Sequence, residues 1–523
     1  MESGITRTVK MGNEVRSCND VYDRAARAAA GMRDMGVGVG SSIAILMRNA
    51  IEYLEVSAAA AHVGAYAVPL NWHLAPAEIS YVLEDCGAKL LIVHSDLLNL
   101  VPTELLHSVD GVDVIIVNMP DAIRDVYPLM ISEVRPPADA KNWEEFLLAN
   151  EPLKAMELMP ERESIIYTSG TTGRPKGIIR NPATEEQRQK LNRMREETYH
   201  LKEGIRLLVP APLYHAAPNV FSLCGLQVAA MVVLMPKFDP EEFLRIIERE
   251  KITTIVMVPI MFVRLLKLPV EVRSRYDLGS LTAVLHAAAP CPPDIKSQMI
   301  EWLGPIIYEW YGTTETSVVT QCSTEEWLKY PGTVGKPIPG ATIEIIDDNG
   351  NAVPPNTEGE IYMNLEFMPD FTYHNREEER AKVSRGGLTT GGDIGYLNDD
   401  GYLFICDRKK DMIISGGVNI YPAEIEAVLI SMPEIYDCAV IGIPDAEFGE
   451  AILAVVVANV PITEETIVEH LATRMAKFKI PRSFEFREFL PRDDAGKLLK
   501  RRLREPFLKI DPNEDPIKHT HKS

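Results

Sequence analysis

The sequence IIYTSGTTGRPKG, at residues 165–177, carries the strongest signal in the chain. An apolar strand runs directly into a segment that holds three glycines, four hydroxyl side chains and a lysine. Glycines let backbone N–H groups approach an anion closely, and the hydroxyl and ammonium groups supply further donors. The spacing excludes a Walker A loop, in which the lysine follows a glycine and precedes Ser or Thr. The segment therefore predicts a loop that wraps a polyphosphate.

The overall composition is that of a globular protein with several domains. The 523 residues are 46% hydrophobic and 25% charged, which excludes a disordered or fibrous chain. This length exceeds what one hydrophobic core supports, so we expect two or more domains. The 75 acidic residues outnumber the 54 Lys and Arg residues, giving a formal net charge of −21. That excess argues against a nucleic-acid binder, since phosphate contacts require a surplus of cations.

Cysteine usage and hydropathy indicate a cytoplasmic protein without a membrane span. The seven cysteines include no Cys-x-x-Cys pair, so neither a disulfide framework nor a zinc site is predicted. The longest uncharged apolar stretch, residues 220–235, falls short of the roughly 20 residues that a membrane-spanning helix requires. Residues 1–10 contain no apolar segment typical of a signal peptide.

Alternating strand and helix patterns predict an α/β fold. Short apolar strands such as 42–47 and 66–70 alternate with helices such as 51–63 and 76–86. This pace is typical of βαβ units in a largely parallel sheet. The same alternation returns after residue 203 and predicts a helix at 240–250.

The composition changes in the last third of the chain and predicts the domain boundaries. Gly, Pro and Asp become frequent, and short alternating strands replace long helices. We expect a large N-terminal domain of parallel-rich α/β sheets at 1–408, with a β-rich subdomain at 331–408. A hinge at 409–410 then leads to a small, mobile α+β C-terminal domain at 411–523.

Seven segments, in order along the chain, resemble the signature motifs of the adenylate-forming superfamily. That superfamily contains acyl-CoA synthetases, firefly luciferases and the adenylation domains of peptide synthetases. The segments are IIYTSGTTGRPKG (165–177), PLYHAAP (212–218), HAAAPCPP (286–293), YGTTE (311–315), TGGDIGYL (390–397), DRKKDMIISGG (407–417) and DDAGKLLKR (493–501). The resemblance covers nearly the whole chain, and its wording is closest to that of bacterial fatty-acid and bile-acid CoA ligases.

The resemblance implies a site for ATP and Mg²⁺. Tyr311 is expected to stack on adenine, Thr314 to donate to the α-phosphate and Glu315 to hold the metal ion. Asp393 resembles the aspartate that accepts hydrogen bonds from ribose, and Arg408 an arginine that contacts ribose or phosphate. The chain has one more glycine before this aspartate than the family usually has. Further ligand contacts are implied at Thr168, Ser169, Gly170, Thr171, Thr172, Gly173, Lys176, Ala288, Ala289, Pro290, Gly312, Thr313 and Ile405, with Thr168 also a metal ligand.

The resemblance implies four further roles, three of them in the hinge and the C-terminal domain and one in the N-terminal domain. Lys497 resembles the lysine that bridges the carboxylate and the α-phosphate, where it stabilises developing negative charge. Lys410 matches the hinge position of the family, and Gly416 and Gly417 match the loop that lines the pantetheine tunnel of CoA ligases. His215 occupies the position that lines the acyl pocket and the approach of the thiol.

The expected reaction is the two-step ligation of a carboxylic acid to CoA. The acid and ATP give an acyl-adenylate and pyrophosphate, and the CoA thiol then releases AMP. The predicted pocket ranges, 214–224, 286–290 and 312–320, hold many small residues and no Lys or Arg. We therefore expect a fatty, aromatic or alicyclic acid and disfavour a dicarboxylate. The segment 474–509 holds 12 Lys and Arg against five acidic residues, which suggests a surface for the 3′-phosphate of CoA.

Other functions are compatible with the same motifs. An acyl-AMP ligase passes the acyl group to the phosphopantetheine of a carrier protein, and a luciferase-like oxygenase differs only in its second step. A non-catalytic binding homologue is disfavoured because Lys176, Glu315, Asp393, Arg408 and Lys497 are all present. A hydrolase has no support, since neither a Ser-His-Asp triad nor a His-Glu-x-x-His motif is evident. A homodimer is compatible with the sequence.

Overall fold

The computed structural model describes residues 6–103, 105, 112–127, 140–159, 162–169, 175–445, 447–493 and 496–507. The helices in these ranges are α1 (Cys18–Asp34), α2 (Ile51–His62), α3 (Pro76–Asp85), α4 (Asp121–Arg124), α5 (Trp143–Leu148), α6 (Glu185–Thr198), α7 (Ala216–Val228), α8 (Pro240–Glu250), α9 (Pro259–Leu266), α10 (Val270–Arg273), α11 (Pro293–Leu303), α12 (Thr324–Lys329), α13 (Glu377–Lys382), α14 (Pro422–Ile430), α15 (Glu464–Ala472) and α16 (Lys500–Arg504).

The strands of the same ranges form four sheets. Those of the N-terminal region are β1 (Thr8–Met11), β2 (Glu14–Ser17), β3 (Ser42–Leu46), β4 (Tyr66–Pro69), β5 (Ala88–His94), β6 (Asp113–Val117), β7 (Lys141–Asn142), β8 (Ile166–Ser169), β9 (Pro175–Arg180), β10 (Arg206–Val209), β11 (Met231–Leu234), β12 (Thr254–Met257), β13 (Ala283–His286), β14 (Ile307–Thr313) and β15 (Ser317–Cys322). The later ones are β16 (Thr333–Pro337), β17 (Ala341–Ile346), β18 (Gly359–Leu365), β19 (Phe371–Tyr373), β20 (Ser384–Arg385), β21 (Leu388–Leu397), β22 (Leu403–Arg408), β23 (Ile413–Ser415), β24 (Val418–Ile420), β25 (Ile435–Asp445), β26 (Gly449–Ala458) and β27 (Ser483–Phe486).

Two parallel sheets form the N-terminal region. One has the order β4-β3-β5-β6-β7. The parallel part of the other contains β1, β11, β10, β12, β13 and β14. Helices α1, α2 and α7 lie between the two sheets, where their apolar residues share one large core with both of them. Helices α8, α9 and α11 cover the far face of the larger sheet. The chain is thus the predicted α/β fold.

The β-rich region continues the larger sheet. Strand β16 pairs with β15, and β22, β21, β18 and β17 follow it in antiparallel order. The sequence indicates the change from long helices to short strands. It does not indicate this pairing, because hydrogen bonds between strands leave no periodic signal.

A separate sheet follows residue 408. Strands β24, β23, β26 and β25 pair in antiparallel order, and β27 joins β26 in parallel. Helices α14 and α15 pack on one face around Ile425, Leu429, Ile467 and Leu471. Strand β22 ends at Arg408, and the chain turns through residues 409–412 before β23 begins. The change of sheet therefore coincides with the predicted hinge.

Local signals fix the helix bounds well where caps are present. Helix α8 begins after Asp239, whose side chain accepts the backbone N–H of Glu242, and it has proline at its first position. Its apolar side chains Phe243 and Ile247 are buried. Lys251 ends the helix with a φ of 49°, a left-handed conformation. These bounds agree with the prediction from the sequence.

Two predicted absences can be compared with the described residues. No helix in them is both long enough and apolar enough to cross a membrane. All seven cysteines lie in the described ranges, and all are free thiols.

Candidate active site

The candidate site is a cleft between the N-terminal region and the C-terminal sheet. It has a volume of about 2610 Å³, and residues of both regions line it. The predicted site residues on its walls are Thr168, Lys176, His215, Ala288, Ala289, Pro290, Tyr311, Gly312, Thr313, Thr314, Glu315, Asp393, Ile405, Arg408, Lys410 and Lys497. The fold thus brings together residues from all seven predicted motifs.

Seven predicted site residues are not described on these walls. Residues Gly170, Thr171, Thr172 and Gly173 lie outside the described part of the chain, as does the side chain of Ser169. Gly416 and Gly417 are exposed in the turn between β23 and β24, away from the described lining of the cleft.

Asp393 is the centre of a polar cluster to which β14, β21 and β22 contribute. It lies opposite Arg408 in the β21–β22 pair, and the Arg408 Nε is 3.3 Å from its Oδ1. The Tyr311 hydroxyl donates to its Oδ2 at 2.8 Å. Burial raises the pKa of Tyr311 well above its usual value, and the neighbouring Asp393 charge adds to the shift. We call Tyr311, Glu315, Asp393 and Arg408 the nucleotide wall.

The turn that carries Thr314 and Glu315 is fixed by its surroundings. The Arg180 guanidinium donates to both of their carbonyl oxygens, at 2.7 and 2.6 Å. The Tyr373 hydroxyl donates to Glu315 Oε1 at 2.8 Å. A Cβ at Gly312 would come within 1.9 Å of the Ser317 carbonyl oxygen, so this close turn requires glycine.

Lys176 has a partner that the sequence does not reveal. It lies opposite Thr168 in the β8–β9 pair, is almost fully buried, and donates to Glu379 Oε2 at 2.5 Å. This hydrogen bond lowers the pKa of Glu379 to about 2. In this structure the Lys176 ammonium is therefore neutralised by a carboxylate of α13.

The predicted metal ligands suit a cation that is shared with phosphate. The described residues contain no group of three or more His, Cys, Asp or Glu side chains that could hold a metal ion alone. Glu315 and Thr168 nevertheless offer a carboxylate and a hydroxyl on the same cleft. Mg²⁺ is commonly bound by one or two carboxylates together with substrate phosphates. These residues therefore fit Mg²⁺ only in the company of a bound nucleotide.

A buried ion pair lies close to Tyr311 in the chain, and the sequence does not indicate it. Lys296 on α11 is fully buried, and its Nζ donates to Glu309 Oε2 at 2.5 Å. Glu309 is buried on β14, two residues before Tyr311, and it also lines the cleft. Burial raises the pKa of Glu309, and Lys296 opposes that shift. A lysine on an amphipathic helix gave no signal that it would be buried.

Lys497 reaches the cleft on a short turn. The lysine loop, residues 491–499 without the undescribed 494 and 495, is closed by a bridge between Arg492 and Leu498. Lys497 is exposed to the cleft, where the surrounding protein atoms displace part of the water around its ammonium. This desolvation lowers the pKa of Lys497 to about 8, and the nearby Arg408 charge contributes to the shift.

The predicted hinge residue, Lys410, also lines the cleft. Its carbonyl oxygen accepts a hydrogen bond from Arg504 at 3.1 Å, and Arg504 also pairs with Asp411. Desolvation lowers the pKa of the Lys410 ammonium, with a further contribution from Arg408. The contacts tie the start of the C-terminal region to its last described helix, α16.

Another part of the cleft lining is mainly apolar. Ala216, Ala217 and Val220 of α7 line it, and the rings of Tyr199 and Trp310 meet there with centroids 5.4 Å apart. Arg195 of α6 also borders the cleft. This arginine lies outside the pocket ranges that the sequence predicts.

Comparison with known proteins identifies the family of this chain. The family described as AMP-binding enzyme matches residues 5–367, and the AMP-binding enzyme C-terminal domain matches residues 424–497. A 2-succinylbenzoate–CoA ligase of Bacillus cereus is 31% identical over 93% of this chain and 92% of its own length. The long-chain-fatty-acid–CoA ligase FadD13 of Mycobacterium tuberculosis is 31% identical over 92% of this chain and 91% of its own.

A solved structure agrees with these relatives. The o-succinylbenzoate CoA synthetase MenE of Bacillus subtilis, in complex with the acyl-adenylate intermediate OSB-AMP, has a TM-score of 0.77 to this chain. It is 27% identical and covers 96% of each chain. The chain is therefore a member of the AMP-binding, adenylate-forming enzyme family.

Proposed function

We propose that this protein is an AMP-forming carboxylic acid–CoA ligase that acts through an acyl-adenylate. The observation that carries the proposal is the meeting of Glu315, Asp393 and Lys497 on one cleft, although they belong to three motifs that are distant in the chain. The named activities of the relatives, 2-succinylbenzoate–CoA and long-chain-fatty-acid–CoA ligation, support the same reaction class.

In the first step, an oxygen of the substrate carboxylate attacks the α-phosphorus of ATP and pyrophosphate leaves. Both reactants are anions, so the site must hold them in line and neutralise their charge. We assign the ribose to Asp393 and Arg408, and the developing charge to Lys497. Mg²⁺, held by Glu315 and Thr168 with the phosphates, would supply charge neutralisation.

In the second step, the CoA thiol attacks the acyl carbonyl, AMP leaves, and the thiol proton passes to solvent. We propose that residues 411–507 rotate about Lys410 between the steps, so that Gly416 and Gly417 reach the cleft. The exposed position of both glycines and the present position of Lys497 in the cleft are compatible with a structure poised for the first step.

We propose an acid with a large apolar body as the substrate. The small side chains of α7 and the aromatic rings of Tyr199 and Trp310 offer an apolar wall of irregular width. Long-chain fatty acids and 2-succinylbenzoate, which appear in the names of the relatives, both have such a body. The second carboxylate of 2-succinylbenzoate would need a cation, and Arg195 is the arginine to test for it.

The experiment is a substrate screen with separate product detection. Purified protein with Mg²⁺ and ATP is given palmitate, benzoate, cholate or 2-succinylbenzoate, with and without CoA, and pyrophosphate, AMP and acyl-CoA are measured. The proposal predicts acid-dependent pyrophosphate release, with acyl-CoA formed only when CoA is present. Acyl transfer to a carrier protein but not to CoA would favour the carrier-loading alternative. Failure of every acid to give AMP would overturn the proposal.

A further inference from the structure

The lysine loop is held in shape by the residue at its start. Asp493 Oδ1 accepts the backbone N–H of Lys497 at 2.9 Å, and the Asp493 N–H donates to the Lys497 carbonyl at 3.1 Å. The Gly496 N–H donates to the Asp493 carbonyl at 2.8 Å. The orientation of Lys497 therefore depends directly on the position of the Asp493 carboxylate.

The second oxygen of the same carboxylate faces the N-terminal region. Asp493 Oδ2 lies 3.4 Å from His215 Nε2, which is an ion-pair distance when the imidazole is protonated. The Asp493 side chain is 4% exposed and the His215 side chain 29% exposed, so the contact is largely shielded from water. Burial raises the pKa of Asp493, but His215 and the Lys497 backbone outweigh this effect and lower it overall.

Among the described residues of the loop, the other anchors make no polar contact with the N-terminal region. Arg492 donates to both carboxylate oxygens of Asp437 at 2.7 Å and to the Gly496 carbonyl at 2.7 Å, which ties the loop to its own sheet. Gly496 packs closely against Ile260 of the N-terminal region, which is an apolar contact. Asp493 thus combines a polar contact across the cleft with control of the lysine backbone.

The charge of Asp493 also acts on Lys497 itself. The charged groups that face this ammonium are Arg408 and Lys410, which lower its pKa, and Asp493 and Asp411, which raise it. Loss of the Asp493 charge would therefore favour the neutral amine. Only the ammonium form can stabilise negative charge on the reacting oxygens.

We propose that Asp493 is a positioning residue for adenylation: its carboxylate, held between His215 and the backbone of Lys497, seats the lysine in the cleft. This inference rests on the proposed ligase function. It predicts that Asp493 matters for the step in which Lys497 is in the cleft and not for the step from which Lys497 is withdrawn.

The test compares the two half-reactions in the full-length protein. Adenylation is measured by acid-dependent exchange of pyrophosphate into ATP, with the best acid of the screen. Thioester formation is measured from the chemically synthesised acyl-adenylate of that acid plus CoA. Asp493→Asn should slow exchange about tenfold, the scale of one charged hydrogen bond, and change thioester formation less than twofold. Glu488→Gln, an exposed acid just before the loop, is the matched control and should change neither.

Two readouts separate positioning from a structural effect. The pH above which exchange declines should be lower in Asp493→Asn than in the wild type, because the lysine loses a stabilising negative charge. His215→Gln removes the same contact from the side of the histidine. Adding Asp493→Asn to His215→Gln should therefore slow exchange less than Asp493→Asn slows it in the wild type.

Three results would overturn the inference: unchanged exchange in Asp493→Asn, an equal loss of both half-reactions, or full additivity with His215→Gln. If the wild type shows no acid-dependent exchange at all, the proposed function itself fails. The two failures are therefore distinguishable.

Discussion

The nucleotide wall and the lysine loop differ in how the fold holds them. Asp393 and Arg408 lie on paired strands of the large sheet, and the Glu315 turn is fixed by Arg180. Lys497, in contrast, stands on a short turn outside the strands of the C-terminal sheet, where Asp493 approaches His215 and Gly496 approaches Ile260 of the N-terminal region. Groups that bind the same ligand throughout a reaction can be built into a rigid sheet. A group needed for one step only is better placed on a part that can leave.

The largest effect should come from removing the lysine that the loop carries. Lys497→Met should slow adenylation on the order of 10²–10³-fold, since a positioned donor to developing charge is lost. Thioester formation from synthetic acyl-adenylate should stay within twofold of the wild type. Pyrophosphate exchange and acyl-CoA formation measure the two steps separately. Lys202→Met, at an exposed lysine, is the control. An equal loss of both steps in Lys497→Met would contradict a role for Lys497 in adenylation alone.

A change in the nucleotide wall should instead affect both steps. Asp393→Asn keeps the size of the side chain but weakens its ion pair with Arg408 and the hydrogen bonds that we propose it makes to ribose. The kcat/KM for ATP in the exchange reaction should fall roughly ten- to a hundredfold, the scale of a hydrogen bond to a charged group. The kcat/KM for acyl-adenylate should fall as well, and a loss confined to exchange would argue against a shared nucleotide site.

The two steps should also differ in their pH dependence, because the role proposed for Lys497 is confined to adenylation. The pKa of Lys497 is lowered to about 8, and the role that we propose for this lysine requires its protonated form. Adenylation should therefore decline about tenfold per pH unit above that value, while the thioester step shows no decline with this midpoint. Lys497→Arg retains its proton at these pH values and should move the decline to higher pH. If both steps show the same pH profile, Lys497 is not the group whose titration causes the decline.

The smallest effect concerns the basic segment that follows α15. Lys479 is paired with Glu424, and Lys500 with Glu426, so those cations are already neutralised. Arg474 and Lys477 are exposed and remain as candidates for the 3′-phosphate of CoA. Arg474→Glu with Lys477→Glu should raise the KM for CoA several-fold, most strongly at low salt. An unchanged KM for CoA, measured beside the KM for ATP, would exclude this surface.

The sequence predicted the elements with strong local signals and missed the contacts between distant ones. Helix α8 was predicted with its observed bounds because Asp239, Pro240 and an apolar stripe all mark it. Motif wording predicted many of the residues that line the cleft, but it also named Gly416 and Gly417, which lie away from the described lining. The partners of Lys176 and Lys296 were not predicted, since Glu379 lies 203 residues away from Lys176 and a buried lysine looks like a surface one in sequence. Side-chain pairing of this kind is decided by tertiary packing alone.

The close fit of Gly496 against Ile260 has a practical consequence. With a φ of 79° and a distance of 2.0 Å from a hypothetical Cβ to Ile260 Cγ2, this position has no room for any side chain while the two parts are together. An alanine here would strain the lysine loop and clash with Ile260, and would therefore disfavour the arrangement in which Lys497 lies in the cleft. Such a variant should accept a ready-made acyl-adenylate yet make little of its own, and so provide a reagent in which the second half of the chemistry runs in isolation.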